Sequence, residues 1–181
     1  MRELALHILD IAENSVAANA ARVAIQVLED SAQNILYISV QDDGCGMDAE
    51  TAAKVVDPFV TSRTTRKVGL GIPLLKEAAE VCNGSFKLES TPGVGTNIQV
   101  EFRHSHIDRM PLGDLAGTWM TLMVSHPYIT WVFEYRTDEN VFRLDSGEVS
   151  AILDGLPMSD PAVLSFLRTY LDEGVKANST N

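Results

Sequence analysis

Residues 41–47 read QDDGCGM: two adjacent acids, then two glycines on either side of a cysteine. They close ILYISVQ (35–41), whose apolar residues alternate as in a half-buried strand. This juncture constrains the fold more than any other feature. A strand that ends in fixed negative charge and permissive backbone runs into a tight turn, a metal loop or the wall of a nucleotide pocket. Glycine there lets another group approach backbone where a Cβ would otherwise stand. Just upstream, RVAIQVLE (22–29) alternates Val23, Ile25 and Val27, and EDSAQN supplies turn residues between the two runs. The pair is predicted to form a hairpin.

Around it the chain has a readable order. Leu4, Ile8, Ile11 and Ser15 fall on one stripe with Ala12 and Val16 beside it, which predicts an amphipathic helix over 2–19. DAETAAKVVD (48–57) reads as a short helix with an acid at its cap, stopped by Pro58. PFVTSRTTRKVGLG (58–71) has three basic residues, four hydroxyls, two glycines and little apolar period, so it reads as a loop. It leads into a helix over 72–83, with Pro73 in the first turn and Asn83-Gly84 as the stop. SFKLES (85–90) and NIQVEF (97–102) are strands joined by the glycine turn TPGVGT.

These elements make a first domain over 1–103, followed by a connector over 104–111 and a C-terminal α+β appendage over 112–181. The appendage reads as a helix (115–126), a hairpin with Trp131, Phe133 and Tyr135 on one face, and helices over 146–156 and 159–174. The fold class expected is an α/β sandwich (α+β): a mixed, mostly antiparallel sheet with helices on one face.

A net charge of −11 over 181 residues argues against a general DNA- or phospholipid-binding surface, so nucleic acid is not an expected partner. No run approaches 18 apolar residues, so no membrane span is expected, and no cleavable leader is recognised. Two cysteines, Cys45 and Cys82, make neither a disulfide framework nor a four-cysteine zinc site. A cytoplasmic location follows as the expectation. Cys82 reads as small apolar filler and Cys45 as pocket lining. His104 and His106 are too few ligands, in a connector, for a metal site.

Three groups of residues carry chemistry. Asp10 and Asn14 are four apart and share a helix face. A carboxylate and an amide there suit a water and a hydrated Mg²⁺, which prefers oxygen ligands and keeps several waters. Asp43, followed by Gly44 and Gly46, offers a fixed acceptor for an exocyclic amine such as that of adenine. The basic loop ends in Gly69-Leu70-Gly71 at a helix start, where free N–H groups and the helix dipole favour phosphate. Thr96 sits on a strand placed to flank Asp43.

Taken in order, these motifs resemble the GHKL ATPase superfamily, which includes gyrase, the heat-shock chaperone ATPase, MutL-type mismatch-repair ATPases, sensor histidine kinases and anti-sigma-factor kinases. The resemblance covers about residues 1–103. DIAENSVAANAARVAIQV and VQDDGCGMDAE are similar to MutL-type sequences. DPFVTSRTTRKVGLGIPLLKEAAEVCNGSFKLESTPGVGTNIQVEF resembles the catalytic domain of histidine kinases.

The resemblance implies ATP with Mg²⁺ as cofactors and roles at matching positions. Asn14 would ligate Mg²⁺, Asp43 would bind the adenine amine with help from Thr96, and Gly44 and Gly46 would shape the base pocket. Gly69, Leu70 and Gly71 would contact phosphate, and residues 58–68 would form a mobile lid that brings Lys67 or Arg63 near it. Asp10 stands where ATP-hydrolysing branches carry a glutamate four before the Asn, and is the candidate general base, one methylene short. His7 lies on the Asn14 helix and is not read as a phosphoacceptor. No sensor or phosphoacceptor segment is recognised, so the expected acceptor is water or a partner protein. Two functions follow: a stand-alone ATPase or protein kinase in signalling, or a non-catalytic ATP/ADP switch.

Overall fold

A computed structural model describes residues 3–57 and 71–178 of the chain. The elements run α1 (Leu4–Ala17), β1 (Arg22–Asp30), β2 (Ile35–Asp42), α2 (Ala49–Val55), α3 (Gly71–Val81), β3 (Ser85–Thr91) and β4 (Gly95–Arg103). They continue as α4 (Leu115–Ser125), β5 (Thr130–Arg136), β6 (Val141–Asp145), α5 (Ser146–Ile152) and α6 (Pro161–Asn178). The six strands form one sheet in the order β3-β4-β2-β1-β5-β6. Only β1 and β5 run parallel; the other neighbours are antiparallel.

Alternation decides which way the sheet faces. Val23, Ile25 and Val27 of β1, Leu36, Ile38 and Val40 of β2, and Ile98, Val100 and Phe102 of β4 all point into one core with α1 and α3. The opposite row carries exposed polar residues such as Gln26, Gln41 and Lys87. Ser15 ends the buried stripe of α1 that holds Leu4, Ile8, Ile11 and Ala12.

The β1–β2 hairpin expected from the alternation is present, with Val27 opposite Ile38. Residues 112–178 do not stand apart from it. β5 pairs along β1 from Arg22↔Thr130 to Leu28↔Arg136. Trp131, Phe133 and Tyr135 face the same core, and the Trp119 ring of α4 stacks on Phe133 with centroids 4.9 Å apart. Burying each such aromatic side chain contributes roughly 1.5–3 kcal/mol. The expected boundary at 104–111 therefore separates two stretches of sequence that share one sheet and one core. Polar links bind the two stretches further: Glu29 accepts from the Tyr135 hydroxyl and pairs with His104 Nε2 at 2.6 Å.

Two helices end four residues from where they are expected. α5 stops at Ile152 rather than 156, because Asp154 (φ 47°) and Gly155 (φ 92°) turn the chain out of the helix. α6 continues through Gly174 to Asn178. That glycine is accommodated because the Phe142 ring packs where a side chain would stand; a Cβ would lie 2.2 Å from the ring edge.

Candidate functional site

The end of β2 builds the site. Its core-facing row is Leu36, Ile38, Val40, and the next residue of that parity is Asp42. Asp42 therefore turns into the molecule, and Asp43 turns away. The Asp42 carboxylate is held on both oxygens. Oδ1 accepts from the N–H of Gly44 (2.9 Å) and of Thr96 (3.2 Å), and Oδ2 accepts from the Ser15 hydroxyl (2.7 Å). The register sets Asp42 directly opposite Thr96 across β2 and β4.

Asp43 has a different task. Its Oδ1 accepts from the N–H groups of Ala21 and Arg22, both at 2.8 Å. It pins the start of β1 and lies off the pocket wall, which corrects the expectation that it faces a base. The sequence reading ended the strand at Gln41 and so lost the parity. Extending the alternation by one residue selects Asp42.

A pocket of about 440 Å³ opens above Asp42. Asn14 and Ser15 of α1, Asp42, Gly46 and Thr96 give it a polar side, and Ile11, Val55, Ile72 and Ile98 are among its apolar walls. A largely apolar cleft with a few convergent polar groups is the usual form of a small-molecule site. Gly46 has φ 64°, and a Cβ there would lie 2.0 Å from the Thr91 carbonyl, so the loop closes onto β3 only with glycine. Gly44 is buried against Ala18 and contributes its N–H to Asp42.

A second ring of hydroxyls supports these groups. Ser90 Oγ accepts from the Met47 N–H (2.8 Å), lies 3.1 Å from the Gly95 carbonyl, and is 2.9 Å from Thr96 Oγ1. Ser15, Asp42 and Ser90 were all missed as site residues. Ser15 had a signal: a hydroxyl at the end of an otherwise apolar stripe. Ser90 had none short of knowing the β3–β4 register.

Asn14 lines the pocket, and its buried Nδ2 has no hydrogen-bond partner among the described residues. Asp10, one turn earlier, sits beside the start of α3 rather than in the pocket lining. A Cβ on Gly71 would lie 1.7 Å from Asp10 Oδ2, so glycine is what lets the helix begin against that carboxylate. Arg63, Lys67, Gly69 and Leu70, expected at a phosphate end, lie outside the described residues. Among the described residues no cluster of three or more His, Cys, Asp or Glu side chains is placed to hold a metal ion. His104, paired with Glu29, is part of the scaffold. Cys82 is buried, and burial pushes its thiol up, while Cys45 is exposed on the pocket. No helix among the described residues is long and apolar enough to cross a membrane.

The model of the histidine kinase-, DNA gyrase B- and HSP90-like ATPases matches residues 1–106. The chain belongs to this family. Its ATP-binding domain is of the histidine kinase-like kind within the GHKL superfamily. A putative sensor protein of Shewanella frigidimarina is 30% identical over 97 residues, covering 52% of this chain and 15% of that protein. The signal transduction histidine-protein kinase AtoS of Escherichia coli is 35% identical over 92 residues, 49% of this chain and 14% of AtoS. This GHKL chain thus matches only a small part of each of these relatives. Among solved structures, the Aquifex aeolicus MutL ATPase domain complexed with ADP superposes with a TM-score of 0.52 at 13% identity, over 96% of this chain and 70% of that one. That likeness is one of fold, and it extends through the C-terminal strands as well as the family domain.

Proposed function

We propose that this chain binds MgATP in the Asp42 pocket and works as an ATPase or protein kinase that regulates a partner protein. The observation that carries the proposal is the Asp42 carboxylate, fixed by Ser15, Gly44 and Thr96 at the floor of an apolar cleft beside Asn14. A carboxylate in that setting accepts from an exocyclic amine and selects an aminopurine edge. Thr96, on the neighbouring strand, flanks the same edge.

The residues present fit Mg²⁺ in one respect. Asn14 brings an amide to the pocket, and its Oδ1 is the atom that would ligate a hydrated Mg²⁺ with phosphates and waters completing the shell; its buried Nδ2 is a donor. Bound there, the ion would neutralise charge on the phosphates. The chain's own contribution is to orient the nucleotide from the base end and to exclude water from it with Ile11, Ile72 and Ile98. Asp10 is the candidate to order a water, and phosphate goes to water or to a protein acceptor.

A second reading is a nucleotide-dependent switch with negligible turnover. The approach of Asp10 to Gly71, away from the pocket lining, favours it. Calorimetry with MgATP and MgADP on wild type and Asp42→Asn, followed by phosphate release from the same samples, tests both. Absence of binding by wild type sinks the proposal. Binding without phosphate release, and without transfer to added protein, leaves the switch.

A further inference from the structure

The two ends of the sheet are finished differently. β6 closes one end with five residues, and α5 starts at the very next position, Ser146. Its Asp145 is already engaged: it pairs with Arg22 at 3.2 Å and accepts from the Gly147 N–H at 2.9 Å. β3 closes the other end with seven residues, matched one for one with β4 from Ser85↔Glu101 to Thr91↔Gly95. Among the described residues, no backbone hydrogen bond joins residues 85–90 to anything but β4. Thr91 is closed off: its carbonyl accepts from the Val94 N–H, and Gly46 packs against it.

A bare strand edge is a template for another strand, and proteins blunt such edges with proline, a bulge or charge. β3 has no proline and no bulge. Its charges are Lys87 and Glu89, which are two apart and so share a face. Their side chains are 61% and 56% exposed and lie 2.9 Å from each other. Phe86, Leu88 and Ser90, half-buried, take the other face.

We infer that β3 docks on β3 of a second copy of this chain, antiparallel about a two-fold axis at Leu88, so that the two sheets become one. Charge selects this register. Along a strand, backbone groups point alternately to its two edges. Outward groups therefore meet outward groups only when a two-fold pairing is centred on a residue. Centred on Lys87, it sets lysine directly opposite lysine. Centred on Glu89, it sets glutamate opposite glutamate. Centred on Leu88, it sets Lys87 opposite the second copy's Glu89, and Glu89 opposite the second copy's Lys87. Unlike charges directly across an antiparallel pair are favourable and like charges unfavourable. The same register brings Leu88 to Leu88 and Phe86 to Ser90 on the helix-bearing face. A lysine that would guard the edge alone is thus answered by the glutamate two residues on. The contact uses the same patch on both copies and closes after two.

The test is sedimentation velocity of the full chain without nucleotide, over a concentration series. The samples are wild type, Lys87→Glu, Glu89→Lys and an equimolar mixture of the two variants. Wild type is expected to pass from monomer to dimer, with no larger species. Each variant sets like charges opposite at two places and is expected to dimerise at least roughly fourfold more weakly. The mixture restores unlike charges at both places, and a dimer with one copy of each is expected at near wild-type strength. Wild type that stays monomeric at the highest soluble concentration overturns the inference. So does a dimer indifferent to both reversals, or a mixture no tighter than its parts. Growth beyond a dimer overturns it as well, because that needs an edge other than β3. Should a variant fail to fold, hydrogen exchange on wild type decides. The β3 amides not bonded to β4 are expected to gain protection as concentration rises, and protection that ignores concentration overturns the inference. With no nucleotide present, the proposal for the Asp42 pocket stands or falls separately.

Discussion

Asp42 and Asp43 are neighbours in sequence with opposite duties, and exchanging each tests the site directly. Asp42→Asn leaves an oxygen for the N–H groups of Gly44 and Thr96 and turns an amide toward Ser15, whose hydroxyl can reverse and accept. The fold should survive with a loss of about 1–3 kcal/mol, since the three charge-assisted bonds to the carboxylate become neutral ones. The pocket, however, exchanges a carboxylate for an amide. A hydrogen bond to a charged group is worth about 1.5–3 kcal/mol, which corresponds to roughly 10- to 150-fold weaker nucleotide binding. Asp43→Ala does the reverse. It releases the N–H groups of Ala21 and Arg22, both at an exposed carboxylate, at a cost of about 1–2 kcal/mol. For a chain of this length that lowers the melting temperature by roughly 2–8 °C. Its MgADP affinity should match wild type. Calorimetry for binding and thermal unfolding for stability separate the two. A folded Asp43→Ala that no longer binds, or an Asp42→Asn that binds as wild type, refutes the assignment by strand parity.

Gly46→Ala should destabilise the protein by more than about 2 kcal/mol in urea unfolding, because φ 64° and a Thr91 carbonyl 2.0 Å from the new Cβ leave the loop no relaxed position. Cys45 should react readily with a thiol reagent and be protected by MgADP, whereas Cys82 should react only on unfolding; equal rates for both would contradict the burial. A chain cut after residue 106 should fail to fold cooperatively, as judged by near-ultraviolet circular dichroism and urea titration, because it loses Trp119, Trp131 and Phe133 from the common core. Trp119→Ala in the full chain should cost about 3–5 kcal/mol and loosen the nucleotide pocket along with the C-terminal strands.

Much of this architecture was legible from period alone. α1, the β1–β2 hairpin, the β3–β4 pair and the aromatic face of β5 follow from where apolar residues recur. The Asp48 cap of α2 is another local signal that proved sufficient, accepting from the Thr51 N–H at 2.7 Å. Three things were not legible. Strand ends blur by a residue, and at Gln41 that blur moved a functional carboxylate to the wrong neighbour. Pairing partners are not written in alternation, so β5 looked like half of an independent hairpin when its other edge belongs to β1. The support given by Ser90 depends on register between strands, which no local pattern encodes. His7 lies between these cases. The sequence placed it on the Asn14 helix, but only the packing shows that its ring is buried.

The parallel union of β1 with β5 also sets a timetable for the nascent chain. β2 follows β1 at once, so one edge of β1 is satisfied within a few residues of synthesis. Its other edge waits for Thr130–Arg136, roughly a hundred residues later. At about 5–20 residues per second that delay is on the order of 5–20 s. Through that interval the central strand of the finished protein is an outermost strand with unmet hydrogen bonds, the condition in which chains pair with one another. The ribosome, and whatever attends its exit, must shelter an ATP-binding half that has its motifs in place long before it has its final neighbour.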